Sequence, residues 1–275
     1  MLLSFFSGGF LIIIMGERGR QMSNSYKMEE WENGVLVFTI TRKQKRNAIN
    51  YEVMDGLQDA LRRARKPHVK ALVITGEGEQ AFCSGGDLSV FHELRTEEQA
   101  YQMLSRMGDI LYELVMLPKP TFALLNGIAV GGGCEIATAC DFRVARKGIK
   151  AGFVQGNLAI TTGWGGGTML LEKLELSNAM KMLYEAKRYN AEELMELGFV
   201  QYIYDGEPRA ALQTMLGSVF QLEAGVLGAY KEILIRKWKT NSIKERMEKE
   251  IRQCAILWES EAHHKQVEKF IGNKK

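Results

Sequence analysis

The sequence predicts an α/β fold that gives way to a helical C-terminal region. Short β-branched runs alternate with stretches of helical periodicity through most of the chain. Two glycine-rich segments each follow a buried apolar run. From Arg209 to Ile271 the chain is charged and helix-rich, with no proline beyond Pro208. A length of 275 residues fits one large domain, or a domain with an appendage, and 46% apolar residues can fill a real core.

Taken in order, Val35–Thr41 (VLVFTIT) alternates and is β-branched, the pattern of a strand. In NAINYEVMDGLQDALRRARK, Met54, Leu57 and Leu61 recur at helical spacing. Val69–Thr75 reads as a buried strand ended by Gly76, and GEGEQAFCSGGDL as a turn-rich loop. Thr96 followed by Glu97, Glu98 and Gln99 marks a helix start, and PKP breaks that helix after Leu117. Thr121–Leu125 is a further strand, Gly127–Gly133 a glycine-rich loop, Glu135–Ala139 the opening of a buried helix and Phe142–Ala145 a strand. Beyond Trp164–Gly167, the runs Met169–Leu174, Ser177–Tyr184 and Ala191–Leu197 turn helical.

Several classes of function are disfavoured. A net charge of +3 is too weak to argue for nucleic acid, though it leaves room for a local basic patch facing a phosphorylated ligand. Cys83, Cys134, Cys140 and Cys254 form no CxxC pair and no zinc spacing, which points to a reduced, cytoplasmic setting. The histidines His68, His92, His263 and His264 form no HExxH, so no metal site is expected, and His263–His264 read as solvated. No GxGxxG opens a helix after the first strand and no GxxxxGK[ST] occurs. Residues 1–15 (MLLSFFSGGFLIIIM) are apolar but shorter than the ~20 residues of a membrane span. They lack a basic leader and a small-residue cleavage site. Residues 1–21 are therefore set apart as an extension ahead of a start near Met22, and no stable membrane insertion is expected.

The chemistry concentrates in two segments, Ala81-Phe-Cys-Ser-Gly-Gly-Asp-Leu88 and Asn126-Gly-Ile-Ala-Val-Gly-Gly-Gly-Cys-Glu135. Glycine lets a backbone come close to a ligand. The second segment runs straight into a helix, whose free N–H groups favour developing negative charge. Two such loops converging could form an oxyanion hole. They could equally be tight turns between strand and helix.

Taken together, the segments resemble the crotonase superfamily, also called the enoyl-CoA hydratase/isomerase family. KRNAIN (Lys45–Asn50), AFCSGGDL, NGIAVGGGCE, ACDFRVA (Ala139–Ala145), GWGGGT (Gly163–Thr168) and AEELMELGFVQYI (Ala191–Ile203) match its motifs in order. The resemblance implies a spiral of ββα units over 22–208 and a helical region, 209–275, that packs as a homotrimer or a dimer of trimers. It implies an acyl-CoA substrate, with coenzyme A carried by that substrate and no separate cofactor. Gly86 and Gly132 would supply the two oxyanion N–H groups, and Asn47 and Ala48 would lie beside the CoA nucleotide. Asn47 could instead be a helix cap. Asp87 and Asp141 would anchor turns. C-terminal basic residues in this family can approach a neighbouring subunit's CoA phosphates.

Hydratases of the family flank the substrate with two glutamates. The first is present as Glu135, either as an acid/base or simply as a first-turn complement to the helix dipole. Counting twenty residues on, as the family does, lands on Gln155, and an amide cannot take a proton at neutral pH. Thr161-Thr162-Gly163-Trp164 stands where hydratases commonly carry Ile-Pro-Gly. The Trp164-Gly165-Gly166 form, with ACDFR before it, a non-glutamate at Gln155 and Leu257-Trp258-Glu259 late in the chain, is similar to the ethylmalonyl- and methylmalonyl-CoA decarboxylase branch. Decarboxylation of a short malonyl-type acyl-CoA is the preferred reaction. Hydration or double-bond isomerisation on Glu135 alone is the alternative, and a non-catalytic CoA- or RNA-binding subunit is the alternative of another class. Trp164 would wall the acyl pocket or sit in the core. Asn157, Thr161 and Thr162 would contact a substrate carboxylate.

Overall fold

The computed structural model describes residues 21–272. The apolar run at the N-terminus lies outside them, as does most of the proposed extension. Gln21 and Met22, at its boundary, pair with the next strand. The larger sheet has seven strands in the order β1 (Gln21–Met22), β2 (Tyr26–Glu30), β3 (Val35–Ile40), β4 (Ala71–Gly76), β6 (Thr121–Leu125), β8 (Phe142–Arg146) and β11 (Tyr202–Tyr204). From β3 to β11 every pairing is parallel. Side chains at 36, 38, 72, 74, 123 and 125 enter the main core, while 35, 37, 71, 73, 122 and 124 face the other way. That is the period of two expected along a strand. Because both faces are covered, β3 and β6 are buried along their whole length and read as near-continuous apolar runs.

A smaller sheet, β10 (Tyr189–Asn190), β9 (Lys150–Gly152), β7 (Ile128–Val130) and β5 (Ala81–Cys83), lies within stretches read as loops or left unassigned. Each strand is two or three residues long, too short to show alternation. The order strand, short strand, helix recurs: β4–β5 before α2 (Leu88–Phe91) and α3 (Glu97–Val115), β6–β7 before α4 (Gly132–Ala139), and β8–β9 before α5 (Gly166–Lys173) and α6 (Leu176–Glu185). This is the expected spiral of ββα units. Each short strand delivers its loop to the same region, which is how distant glycine-rich segments meet.

The helices follow local signals. α1 (Tyr51–Ala64) is capped by Asn50, whose side chain accepts from the Val53 N–H. Asn47 is therefore not the cap. α3 starts in a capping box of Thr96 and Gln99. After α7 (Ala191–Glu196), α8 (Pro208–Gln221) seals the far face of the larger sheet through Leu212, Leu216 and Phe220. α9 (Ala224–Thr240), α10 (Ile243–Glu259) and α11 (Glu261–Gly272) complete the C-terminal region.

Asp141 anchors the turn before β8, accepting from the Thr121 N–H and hydroxyl. Lys231 of α9, only 5% exposed, pairs with the same carboxylate. Breaking a buried pair leaves an uncompensated charge. Lys231→Met is expected to lower the unfolding free energy by about 3 kcal/mol, read from urea titrations.

Candidate functional site

The site begins where β5 ends. Ile49 N–H donates to the Gly85 carbonyl and Asp87 N–H to the Ile49 carbonyl, both at 2.8 Å, so Gly86 is held between two fixed peptide groups. Asp87 caps α2, accepts from Ser89 and pairs with Arg42 at 2.7 Å. These bonds hold its carboxyl below the usual range against the opposing effect of burial. The second loop follows β7. Gly131 takes a left-handed φ of 57° and donates to the Gly152 carbonyl, and Gly132 opens α4. Among the described residues, neither Gly86 N–H nor Gly132 N–H donates a hydrogen bond within the chain. The loops touch: a Cβ on Gly85 would lie 3.3 Å from the Gly132 nitrogen. Two unspent N–H groups on abutting loops, one of them at a helix N-terminus, can receive a developing oxyanion.

Trp164 is buried at 4% exposure and also lines the cavity. A Cβ on Gly132 would collide with the Trp164 ring, and one on Gly86 would sit 3.8 Å from Cζ2. The indole thus backs both glycines.

Glu135 lies in the first turn of α4, 2% exposed. Its Oε1 accepts from Gln155 Nε2 at 3.0 Å and Gly163 N–H at 3.3 Å. Its Oε2 accepts from Trp164 N–H at 2.8 Å and Gly166 N–H at 2.9 Å. Burial, and secondarily the Glu250 carboxylate, push its pKa up to about 7, while the backbone donors pull it down. The chain thus brings Glu135 and Gln155 together as the counting argument expected. Gln155 Oε1 is buried with no hydrogen-bond partner among the described residues.

A sign follows for stability. The folded chain holds the Glu135 proton up to about pH 7, whereas an unfolded glutamate releases it near its ordinary 4.5. This stabilising contribution is complete below about pH 4.5 and is lost as pH rises through 7. Between pH 5 and 8 the wild type is expected to lose a few kcal/mol that Glu135→Ala does not lose, read from urea midpoints at the two pH values.

The remaining candidates divide. Ala48, Asn157 and Thr161 line the same cavity, of about 1070 Å³. Asn157 spends its amide N–H on the Ala186 carbonyl. Asn47 does not reach the cavity. It is fully buried, and its amide donates to the Glu77 and Ala81 carbonyls, bracing the turn into β5. Thr162 also faces away, donating to Glu250 at 2.5 Å and accepting from Gly167 N–H. His263 is not solvated: it is 3% exposed, sits against Trp258 and meets the Leu158 carbonyl at 2.7 Å. Sequence reading also missed Lys45, Arg46, Lys187, Arg188 and Lys269 around the cavity mouth. Only Lys45 and Arg46 lay in a quoted motif. Lys269 comes from α11 of the same chain. No helix among the described residues is long and apolar enough to cross a membrane.

Comparison with known proteins bears on this geometry. A profile described as enoyl-CoA hydratase/isomerase matches residues 30–269. A crotonyl-CoA hydratase of Syntrophomonas wolfei is 33% identical over 65% of this chain and 68% of its own. An ethylmalonyl-CoA decarboxylase of Xenopus laevis is 29% identical over 77% of this chain and 72% of its own. The matched stretch spans about two thirds of the length of such curated relatives. Among solved structures, an enoyl-CoA hydratase from Bacillus halodurans superposes with a TM-score of 0.81 at 23% identity, covering 89% of this chain and 99% of that one. That likeness concerns the fold.

Proposed function

The chain belongs to the enoyl-CoA hydratase/isomerase family, and from that premise we propose that it decarboxylates a short malonyl-type acyl-CoA through a thioester enolate. The observation that carries this reading is Gln155, an amide 3.0 Å from Glu135 where hydratases of the family place a second carboxylate. The thioester oxygen would sit between the N–H groups of Gly86 and Gly132. As the bond from the α-carbon to the substrate carboxylate breaks, its electron pair enters the enolate and CO₂ leaves. The negative charge gathers on the thioester oxygen, where preorganised donors are each worth about 3–4 kcal/mol of barrier. The α-carbon then takes one proton. Glu135, holding its proton up to about pH 7, can return it. No base has to remove an α-proton, so the lack of a second acid is no obstacle. The basic residues at the cavity mouth suit the CoA phosphates.

A second reading is hydration or isomerisation of an enoyl-CoA on Glu135 alone. It is favoured by the same near-neutral pKa, which lets one group both give and take a proton. Assembly as a trimer or dimer of trimers is supported by Val226, Tyr230, Ile233 and Leu234, which leave an exposed apolar stripe on α9.

The test is direct. Pure protein with ethylmalonyl- or methylmalonyl-CoA is expected to release CO₂, and crotonyl-CoA to be hydrated far more slowly. Absence of CO₂ release from either substrate, with crotonyl-CoA turned over, rejects the decarboxylase reading in favour of the second.

A further inference from the structure

Glu250 lies on α10, far in sequence from both glycine loops, yet among the described residues its side-chain hydrogen bonds all fall on the segment beside Glu135. Its Oε1 accepts from Gly167 N–H at 2.9 Å and from the Thr162 hydroxyl at 2.5 Å, and its Oε2 from Thr168 N–H at 2.7 Å. Glu135 grips the same segment through Trp164 and Gly166. One turn of backbone at the start of α5 thus holds two carboxylates, which approach where the chain has no side chains. A Cβ on Gly166 would lie 2.7 Å from Glu135 Oε2, and one on Gly167 would lie 3.3 Å from Glu250 Oε1.

We propose that Glu250 is a positioning residue for Glu135: it fixes the segment whose N–H groups hold the Glu135 carboxyl, and its own charge favours the protonated form of that carboxyl. Two carboxylates on adjoining amides repel, and the more deeply buried one carries the larger penalty for ionising. Glu250 is partly exposed while Glu135 is buried, so the proton falls to Glu135. The pKa of Glu135 is raised in agreement, with Glu250 second to burial among the causes.

The other groups around Glu135 do not supply this charge. Cys254 on α10 and Cys134 on α4 stay neutral thiols, both pushed up by burial. Cys83 of β5 is likewise pushed up, to about 12. On α5, Glu172 is paired with Arg246 and Lys237, and Lys173 turns to the carbonyls at the far end of α4. α3 brings Met103 and Leu104 to the cavity, and its Arg106 pairs away with Asp55. Gln155 and its 3₁₀ turn contribute an amide only.

The consequence for turnover rests on the reading above, in which Glu135 returns the proton. The titration of Glu135 does not. With glutamate labelled with ¹³C at the side-chain carboxyl, each carboxyl can be titrated by NMR, and the Glu135 signal is the one lost in Glu135→Gln. The wild-type midpoint is expected near 7, and Glu250→Gln is expected to lower it by about one unit. Glu250→Asp, which keeps the charge, stays close to wild type. Glu172→Gln leaves the midpoint in place. If the glutamine variant does not fold, Glu250→Ala removes the same charge at a partly exposed position. On a malonyl-type substrate, the high-pH limb of kcat moves down with the midpoint in Glu250→Gln, a change that mere loosening of the loop would not cause. A midpoint that stays put when the charge is removed, in a variant folded by circular dichroism, overturns the proposal. A moved midpoint with an unmoved limb upholds it and counts instead against Glu135 as the proton donor.

Discussion

Gly132→Ala is expected to lower kcat on the proposed substrate by about a hundredfold to a thousandfold, the loss typical of one oxyanion donor. The added methyl has nowhere to go. It would fall 2.1 Å from Cζ3 of the Trp164 ring. Trp164 is itself buried, so the ring has little room to swing clear, and its backbone N–H is bonded to Glu135, so a shift of the whole residue would disturb that carboxyl. The same ring stands near Gly86, so one methyl displaces both proposed donors. The control is Gly132→Ala combined with Trp164→Leu, in which the clash is relieved. It should recover part of the lost rate if geometry is the cause. Substrate binding through the CoA moiety should change little, so the loss should appear in kcat and not in KM. Retention of kcat within tenfold by the folded single variant would remove Gly132 from the oxyanion site.

How much of this was readable beforehand depended on the length of each pattern and the reach of each contact. β3, β4 and β6 are five or six residues long and apolar, and they showed in the sequence. β5, β7 and β9 have three residues each and sit among glycines, so the smaller sheet could not be seen. Gly86, Gly132 and Glu135 could be singled out because each sits at a fixed offset within a motif, and Gln155 because it lies twenty residues past Glu135. Glu250 was not, since its partners lie 82, 83 and 88 positions away and nothing local marks it. His263 meets Leu158 across 105 positions, and its neighbour His264 made the pair look like surface. Asn47 misled for a different reason. A left-handed asparagine three residues before a true cap resembles either a cap or a ligand contact, and only the fold shows it bracing the turn behind the Gly86 loop.

Gln155→Glu should have an equally large effect and test the reading from the opposite direction. It would put a second carboxyl within about 3 Å of Glu135. Two carboxylates at that separation cannot both ionise cheaply, so the pair would share one proton near neutral pH and titrate as a unit. For a malonyl-type substrate, the added charge repels the carboxylate that must be lost, and decarboxylation should fall at least about tenfold. For an enoyl-CoA, the pair supplies what hydration needs, one group to orient water and one to pass a proton. Hydration of crotonyl-CoA should therefore rise above the wild-type level as CO₂ release falls. Gln155→Ala separates the two effects: it removes the amide without adding charge, so it should weaken Glu135's positioning yet confer no hydration. Assays of all three proteins on ethylmalonyl-CoA and crotonyl-CoA decide the matter. Strong crotonyl-CoA hydration by the wild type, unchanged in Gln155→Glu, would show that the second acid does not govern the choice of reaction. Glu135 would then act alone, and the hydratase reading would replace the decarboxylase one.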